Sequence, residues 1–486
     1  MEVQEMIGRR PPKDAFLRSQ SLNVLTHQEM RMLSYDRSGL YVEGALSASA
    51  KPTGQEERIR GAIEALEERF ESGELGFVDT PDTEAGPIQA FARERLSEEW
   101  TDQVVIGIGG SSLGARAVLQ SASPRHRRGL RTHFADNLDP ESVDRLFSWL
   151  DPRTTLVVVI TKSGTTIETM SQFWIVRELI RKAVGPKRAA RHIVAVTDPK
   201  GGALRELVDR HGWYDFSVPP NVGGRFSVLT PVGLVPLALA GYPIDELLEG
   251  ARKARNAHRS VDAAAQSWGV MAAEHIALAE QGFDQLVMMT YGDRLSGLVD
   301  WFSQLWAESL GKIGEREGER VHTGITPIKA VGVSDQHSQV QLYMEGPKDK
   351  HVSFLEVENF DRDRVIPETP EMPEALQHLQ GRRLSEVFGA ELQGTRGALR
   401  EAGRPTSTWK FERVSPATVG AFLFSWQMIT AVAGELLEIN AFDQPGVELG
   451  KKIAHGLLGR QDHEEVARRA QTHAESATEV RTSILD

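Results

Sequence analysis

Short apolar runs alternate with amphipathic segments through the middle of the chain. VVIGIGG precedes SSLGARAVLQ, LVVVI precedes TIETMSQFWIVRELIRK, and HIVAVTDP precedes KGGALRELVDRHG. Strands that are apolar throughout, each followed by an amphipathic helix, are typical of a parallel sheet that helices cover on both faces. The pattern therefore predicts a doubly wound α/β domain over residues 86–241.

A second region of the same kind begins near Asp284. Its segment DQLVMMTYGDRLSGL has the order of DQVVIGIGGSSLGA, namely Asp-Gln, an apolar strand, a glycine-containing turn, then serine and glycine. We expect a similar α/β domain over residues 281–440, joined to the first by helices at 242–280. Both sheets should be mainly parallel, and ligands of such sheets gather beyond the carboxyl ends of the strands.

The beginning of the chain has a helical pattern instead. In GQEERIRGAIEALEERFESG the apolar residues recur at helical spacing, at Ile59, Ile63, Leu66 and Phe70. Residues 1–85 are therefore predicted to be a peripheral, helical N-terminal segment. The sequence MEVQEMIGRRPPKDAF is charged and has no apolar core of the kind that a secretory signal requires.

One long apolar stretch, ATVGAFLFSWQMITAVAGELLEI, has the length of a membrane span. Polar residues interrupt it at Ser425, Gln427, Thr430 and Glu435. Polar groups of this number are unfavourable in a lipid bilayer, so we expect a helix buried inside a large soluble core and no membrane association.

Composition and charge narrow the range of partners. The 486 residues are 40% hydrophobic and 26% charged, as in ordinary multidomain globular proteins. The net charge of −12 argues against nucleic-acid or acidic-membrane binding, because both need a positive surface. The absence of cysteine excludes disulfides, thiolate catalysis and Cys-ligated zinc, and it agrees with a cytoplasmic location.

The stretch LVVVITKSGTTIETM is the first candidate binding site. A buried strand ends in hydroxyls, Lys162 and Gly164, and a helix follows. Helix N-termini carry unpaired N–H groups and a partial positive charge, and small hydroxyls donate hydrogen bonds. Together these features indicate an anion site, most simply for a phosphate. The alternative is that Ser163 and Thr165 merely cap the helix.

A second strand-to-helix turn, GIGGSSLGA, approximates the dinucleotide pattern G-x-G-x-x-G. It breaks that pattern because its third glycine, Gly114, stands two positions later than the pattern requires. The chain also has no P-loop motif. Two glycine-and-hydroxyl turns on neighbouring strands suit a compact phosphoryl group better than a dinucleotide. A nicotinamide-dependent dehydrogenase therefore stays an alternative, but the less favoured one.

Four further segments place ionisable groups in turns or helices. NVGGRFSVLTP holds Arg225, WFSQLWAESLGK holds Glu308, VGVSDQHSQVQLY holds His337, and NAFDQPGVELGKKIA holds Lys451. Each has a structural alternative. The arginine could stabilise a turn, the glutamate could pair with Lys312 four residues on, and the histidine and lysine could be ordinary surface residues.

In this order and with this content, the segments resemble the phosphoglucose isomerase family, from Val104 to about Ala454. The matching sequences are IGIGGSSLGA, TKSGTTIET, GGRFSVLTPVGL, WAESLGK, DQHS and NAFDQPGVELGKKIA. The resemblance implies two sugar-isomerase domains and a C-terminal helical arm at residues 441–486. It also implies reversible conversion of glucose 6-phosphate to fructose 6-phosphate, without metal or organic cofactor.

The resemblance further assigns roles. Glu308 would be the base, Arg225 would steady the enediolate, and His337 and Lys451 would serve ring opening. Gln444 would line the site. The sugar and its phosphate would be bound by Gly110, Ser111, Thr161, Lys162, Ser163 and Thr166. In the family the histidine comes from the partner subunit, which implies a homodimer with shared active sites.

Two positions, Gly164 and Pro445, depart from the animal members and look like the bacterial style of the family. The chemistry itself supports the assigned roles. One carboxylate can carry a proton between C2 and C1 through an enediol, and a fixed guanidinium can stabilise the charge that develops on oxygen. A non-catalytic sugar-phosphate sensor would need the phosphate turns but not all four ionisable residues.

Overall fold

The computed structural model describes residues 32–42, 45–46, 55–316 and 319–476. The strands in chain order are β1 (Leu33–Asp36), β2 (Asp102–Ile106), β3 (Arg131–Ala135), β4 (Thr155–Ile160), β5 (Ile193–Thr197), β6 (Tyr214–Ser217), β7 (Gln285–Tyr291), β8 (Lys312–Arg316), β9 (Glu319–Thr323), β10 (Thr326–Val331), β11 (Lys350–Val357) and β12 (Thr406–Phe411). They form two five-stranded sheets and the β8–β9 hairpin.

The α-helices surround these sheets. In chain order they are α1 (Gln55–Glu71), α2 (Ala85–Leu96), α3 (Leu113–Ser121), α4 (Pro140–Trp149), α5 (Ile167–Val184), α6 (Pro186–Ala189), α7 (Ala203–His211), α8 (Pro231–Leu239), α9 (Ile244–Ala257), α10 (Val261–Ala264), α11 (Val270–Glu280), α12 (Ser296–Leu310), α13 (Ser334–Ser338), α14 (Val340–Glu345), α15 (Leu384–Glu401), α16 (Pro416–Leu436), α17 (Glu448–Leu457) and α18 (Glu464–Ser476).

The first sheet has the strand order β3-β2-β4-β5-β6. Every neighbouring pair in it is parallel. Side chains alternate between two cores along its central strand β4: Leu156 and Val158 belong to the large core between the sheets, while Val157 and Val159 belong to a separate core under the outer helices. This two-sided burial explains why the strand is apolar throughout.

The second sheet has the order β1-β12-β11-β7-β10. Its pairs β12–β11, β11–β7 and β7–β10 are parallel, whereas β1 is antiparallel to β12, with Leu33 opposite Phe411. The predicted architecture, two α/β domains with mainly parallel sheets, is therefore confirmed. Strand β1 is an addition within the N-terminal segment, for which the sequence predicted only helix.

The long apolar helix α16 lies in the core that both domains share. Its length and composition would suit a membrane span, but 89% of its most apolar window is buried inside the protein. Glycines let α9 approach it closely, because a Cβ atom at Gly250 would overlap the carbonyl of Ala417 and one at Gly420 would overlap that of Leu247. The prediction of a buried core helix is confirmed.

Helix α1 packs against this core with the predicted face, since Ile59, Ile63 and Leu66 are buried. The C-terminal arm consists of α17 and α18 in its described part. The domain boundaries at 85, 241, 280 and 440 stay predictions, and parts of the outer segments, 1–31 and 477–486, lie outside the described residues.

Candidate active site

The turn after β2 meets helix α12 and the turn that carries Arg225. A Cβ atom at Gly110 would overlap the main chain of Gly224 and lie 2.7 Å from the amide nitrogen of Arg225. Gly109 has a φ of +57°, and a Cβ there would lie 2.9 Å from the Gln304 amide. Only glycine permits both contacts. The glycine turn of the first domain is thereby held against the helix of the second.

Arg225 is the centre of this junction and is only 4% exposed. Its guanidinium donates to Ser309 Oγ at 2.7 Å, Gln444 Oε1 at 3.0 Å, Glu308 Oε2 at 3.4 Å, Ala441 O at 2.5 Å and Asp443 O at 2.9 Å. Burial lowers the pKa of Arg225, while the charges of Glu308 and Asp443 raise it. A guanidinium keeps its proton under such conditions, so the site contains a fixed positive charge.

The Glu308 carboxylate is the accessible member of the cluster, with a side chain that is 36% exposed. Gln304 donates to Oε1 at 3.0 Å, and Arg225 approaches Oε2 at 3.4 Å. The alternative interpretation of Glu308 was an ion pair with Lys312. Instead, the Lys312 ammonium donates to the main-chain carbonyl of Glu308 at 2.6 Å. The carboxylate is therefore oriented by two donors and still open to a substrate.

The turn between β4 and α5 is organised by its own hydroxyls. Thr161 Oγ1 lies 3.0 Å from Thr166 Oγ1, and Ser163 Oγ accepts from the Thr165 hydroxyl at 3.0 Å and from its amide at 3.2 Å. Thr166 is the N-cap residue of α5, so capping is not the role of Ser163 or Thr165. The hydroxyls form a compact polar rim at the N-terminus of this helix.

Lys162 lies in the same turn, but its ammonium donates to the carbonyl of Pro220 at 2.6 Å. The side chain is exposed. Gly110 and Ser111 are partly buried in the neighbouring turn after β2, which is the strand paired with β4. The two turns that the sequence predicted to bind phosphate therefore follow adjacent parallel strands.

His337 and Lys451 lie on the protein surface and not in the buried Arg225 cluster. His337 is exposed on α13, whose turn is held by Asp335, which accepts from the Val331 amide at 2.7 Å. The Lys451 side chain is 57% exposed on α17 and pairs with Glu448 at 2.9 Å. Across the described ranges, no hydrogen bond joins either residue to the Arg225 cluster. One chain thus brings together Arg225, Glu308 and Gln444 but not these two.

Sequence reasoning missed two members of the cluster, Gln304 and Ser309, and considered Lys312 only as an ion-pair partner of the Glu308 side chain. Gln304 could have been found, because a residue four positions before Glu308 shares its helix face. The contact of Ser309 with Arg225 depends on the approach of distant segments and has no local signal. Within the described part of the chain, no group of three or more Asp, Glu or His side chains is arranged to hold a metal ion.

Comparison with known proteins covers most of the chain. The sequence model of the family described as phosphoglucose isomerase matches residues 93–480. Glucose-6-phosphate isomerase of Carboxydothermus hydrogenoformans is 45% identical over 438 residues, which are 87% of this chain and 94% of that protein. Glucose-6-phosphate isomerase of Thermus thermophilus is 43% identical over 396 residues, 81% and 92% of the two chains.

Solved structures of known proteins also resemble this chain. A hypothetical protein from Thermus thermophilus superposes with a TM-score of 0.78 at 39% identity, covering 88% of this chain and all (100%) of that one. A glucose-6-phosphate isomerase from Chlamydia trachomatis has a TM-score of 0.68 at 27% identity, with 80% and 76% covered. Similarity of this extent, in a chain that sets a partly exposed carboxylate against a buried arginine, places the protein in the phosphoglucose isomerase family.

Proposed function

We propose that this protein interconverts glucose 6-phosphate and fructose 6-phosphate, a step of glycolysis and gluconeogenesis. The observation that carries the proposal is the junction of Glu308 with Arg225. An accessible carboxylate lies 3.4 Å from a buried guanidinium, in a cluster built from both domains. That arrangement suits a reaction in which a proton leaves carbon while negative charge develops on a neighbouring oxygen.

In the forward direction Glu308 removes the proton from C2 of the open-chain aldose. The C2–H electrons form the C1–C2 double bond of an enediolate, and the C1 carbonyl oxygen takes the charge. Arg225 stabilises that charge from a position that folding has already fixed, so little reorganisation is needed. Return of the same proton to C1, with transfer of a hydroxyl proton from O2 to O1, yields the ketose without loss of atoms or electrons.

The phosphate of the substrate is bound away from the reacting carbons, by the turn after β4 and the turn after β2. Thr161, Ser163 and Thr166 supply hydroxyls at the start of α5, and Gly110 and Ser111 lie in the adjacent turn. Binding energy from a remote dianion can position the reacting carbons over the carboxylate. Lys162 needs only to leave the Pro220 carbonyl to add its charge to the phosphate.

Ring opening falls to His337 and Lys451, and we propose that His337 reaches the site of a partner subunit in a homodimer. Two features support this. His337 is held on an anchored turn with its side chain exposed. Helix α17, which carries Lys451, and the turn before it also expose the apolar side chains of Val447, Leu449 and Leu457. A second chain would cover such a surface and complete the site.

A cytoplasmic location belongs to the same proposal. It is supported by the absence of cysteine and by the burial of α16, the helix whose composition would otherwise suit a membrane. The sugar phosphates that the enzyme would act on are charged, and a reaction on them is expected inside the cell.

The test is an assay with fructose 6-phosphate as substrate, in which glucose 6-phosphate formation is followed by a coupling dehydrogenase. Turnover that needs no metal, and no nucleotide beyond the nicotinamide cofactor of the coupling enzyme, supports the proposal. Tight binding of fructose 6-phosphate without turnover would instead indicate a sugar-phosphate sensor. Reduction of a nicotinamide cofactor without the coupling enzyme would indicate a dehydrogenase.

A further inference from the structure

Lys312 follows the end of helix α12 and places its ammonium group against the last turn of that helix. Its side chain is 7% exposed although it begins the solvent-facing hairpin β8–β9. The ammonium donates to the main-chain carbonyl of Glu308 at 2.6 Å and to that of Asp443 at 2.7 Å. It also lies 3.5 Å from the Asp443 carboxylate. One lysine therefore joins the last turn of α12 to a segment more than a hundred residues further along the chain.

The contact with α12 replaces a missing helical hydrogen bond. The last four carbonyls of a helix have no partner within it, and lysine side chains can serve as donors to them. Here the Lys312 ammonium serves the carbonyl of Glu308, and the Thr323 hydroxyl serves that of Leu310 at 2.8 Å. The turn that carries Glu308 is thereby closed by side chains from outside the helix.

The contact with Asp443 is shared with Arg225. The Asp443 carbonyl accepts from Lys312 Nζ and also from Arg225 Nη2 at 2.9 Å. The next residue, Gln444, accepts from Arg225 Nη1 at 3.0 Å. Two cations therefore hold the same loop, and this loop places Gln444 against Arg225.

We propose that Lys312 is a positioning residue for the isomerisation: it clamps the end of α12 to the 441–444 loop and holds Glu308 against Arg225. This inference rests on the proposed function. The charged groups around the ammonium are Arg225, Asp443 and Glu308. Burial lowers the pKa of Lys312, as does Arg225, while Asp443 and Glu308 raise it.

The first experiment is Lys312→Met, which keeps the length of the side chain and removes the donor and the charge. We expect kcat to fall by about 10- to 100-fold because the base loses its alignment. KM for fructose 6-phosphate should change little, since the phosphate turns lie elsewhere.

Lys329→Met is the matched control. Lys329 is also a lysine that pairs with α12, through Asp300 at 2.8 Å, but it lies away from the Glu308 turn. Its loss should leave kcat and KM within about twofold of wild type, as expected for a partly exposed ion pair. The difference between the two methionine variants isolates the position of Lys312 from the general effect of removing a lysine.

Two more variants separate the clamp from the charge. Lys312→Arg keeps both the charge and a donor, so it should restore part of the kcat that Lys312→Met loses, with KM still little changed. Lys312→Gln keeps a donor of shorter reach without the charge, so its kcat should lie between those of Lys312→Met and Lys312→Arg. These variants also keep the inference testable if Lys312→Met does not fold, because kcat and KM are compared between two polar side chains.

Amide hydrogen exchange gives a readout that does not depend on turnover. Peptides from the end of α12 and from the 441–444 loop should exchange faster in Lys312→Met and unchanged in Lys329→Met. An inactive wild-type protein would overturn the proposed function but not the clamp, which exchange would still report. Wild-type kcat and unchanged exchange in a folded Lys312→Met protein would overturn the clamp.

Discussion

The residues expected to act on the substrate fall into two regions that differ in almost every physical respect. Arg225 is buried and makes hydrogen bonds to two main-chain carbonyls and three side chains. His337 and Lys451 are exposed, and the lysine has only Glu448 as its partner among the described residues. The first region is organised within one chain. The second is presented at the surface, where another molecule can meet it.

The difference between the two regions matches two steps of the proposed reaction, namely proton transfer between carbons and ring opening. Proton transfer between carbons needs a base and a cation in fixed relation, since charge develops and disappears over a distance of one bond. The fold fixes this geometry by burying the guanidinium among main-chain carbonyls that accept its hydrogen bonds. Ring opening needs an acid and a base on the far side of the sugar, and in the proposed dimer a partner subunit presents one of them, His337, from its surface.

The largest effect should come from the buried region. Glu308→Gln keeps the size of the side chain and removes the proton acceptor, so kcat should fall by about a thousandfold or more. Substrate binding should persist, and exchange of the C2 proton with solvent should disappear, as followed by NMR in deuterated buffer. Glu178→Gln, an exposed glutamate of α5 paired with Arg181, is the control and should behave as wild type. Exchange that persists in Glu308→Gln would place the base elsewhere.

A smaller effect is expected from the hydroxyl turn of the first domain. The double variant Ser163→Ala, Thr166→Ala removes two donors to the phosphate, and KM should rise by about tenfold or more while kcat changes less. Inorganic sulfate should compete with substrate for the wild-type site and more weakly for the variant. Ser148→Ala on the exposed face of α4 is the control. A loss confined to kcat would separate this turn from phosphate binding.

The smallest effect on activity should come from a buried pair of histidines, His275 of α11 and His351 of β11. His351 Nδ1 bonds to the carbonyl of Phe283 at 3.0 Å, and its Nε2 lies 2.9 Å from His275 Nδ1. Burial lowers the pKa of His351 to about 4, and it lowers that of His275 as well. The unfolded chain, with a histidine pKa of about 6.5, therefore binds more protons than the folded one between these values.

Stability should accordingly be complete above about pH 6.5 and fall as the pH drops towards 4, by about 3 kcal/mol for His351 alone. Urea unfolding at a series of pH values measures this, and His351→Gln should flatten the dependence in that range. Activity at about pH 7.5, above the histidine pKa of the unfolded chain, should hardly change in a folded variant. An equally steep dependence in His351→Gln would assign the effect to other groups.

Sequence patterns were sufficient for some of these features and not for others. The apolar run of β4 predicted its burial on both faces, and the spacing of Ile59, Ile63 and Leu66 predicted α1, because both depend on local periodicity. Strand β1 has four residues, LSYD, too few to show a period. Its pairing with β12 depends on a free sheet edge, which no local pattern reports.

The candidate active site also has some features that the sequence predicts and others that it does not. Motif content indicated Arg225, Glu308 and Gln444, but their partners depend on contacts between distant segments. Arg225 reaches Ala441, which is 216 positions away, and Lys312 reaches Asp443, 131 positions away. Nothing in the spacing of WAESLGK shows that its lysine serves a carbonyl and not the glutamate side chain. Only the tertiary arrangement distinguishes a contact with the main-chain carbonyl of Glu308 from an ion pair with its side chain.

One measurement tests most directly whether the buried and exposed regions of different chains form one site. Glu308→Gln and His337→Ala chains, each inactive alone, are mixed, unfolded and refolded together, and native mass spectrometry of tagged chains confirms mixed dimers. In each mixed dimer one site has both residues intact and the other has neither. Random pairing of equal amounts of the two chains makes about half of the dimers mixed, so activity should recover to about a quarter of wild type. A mixture that stays inactive although mixed dimers are present would show that each site is built within a single chain.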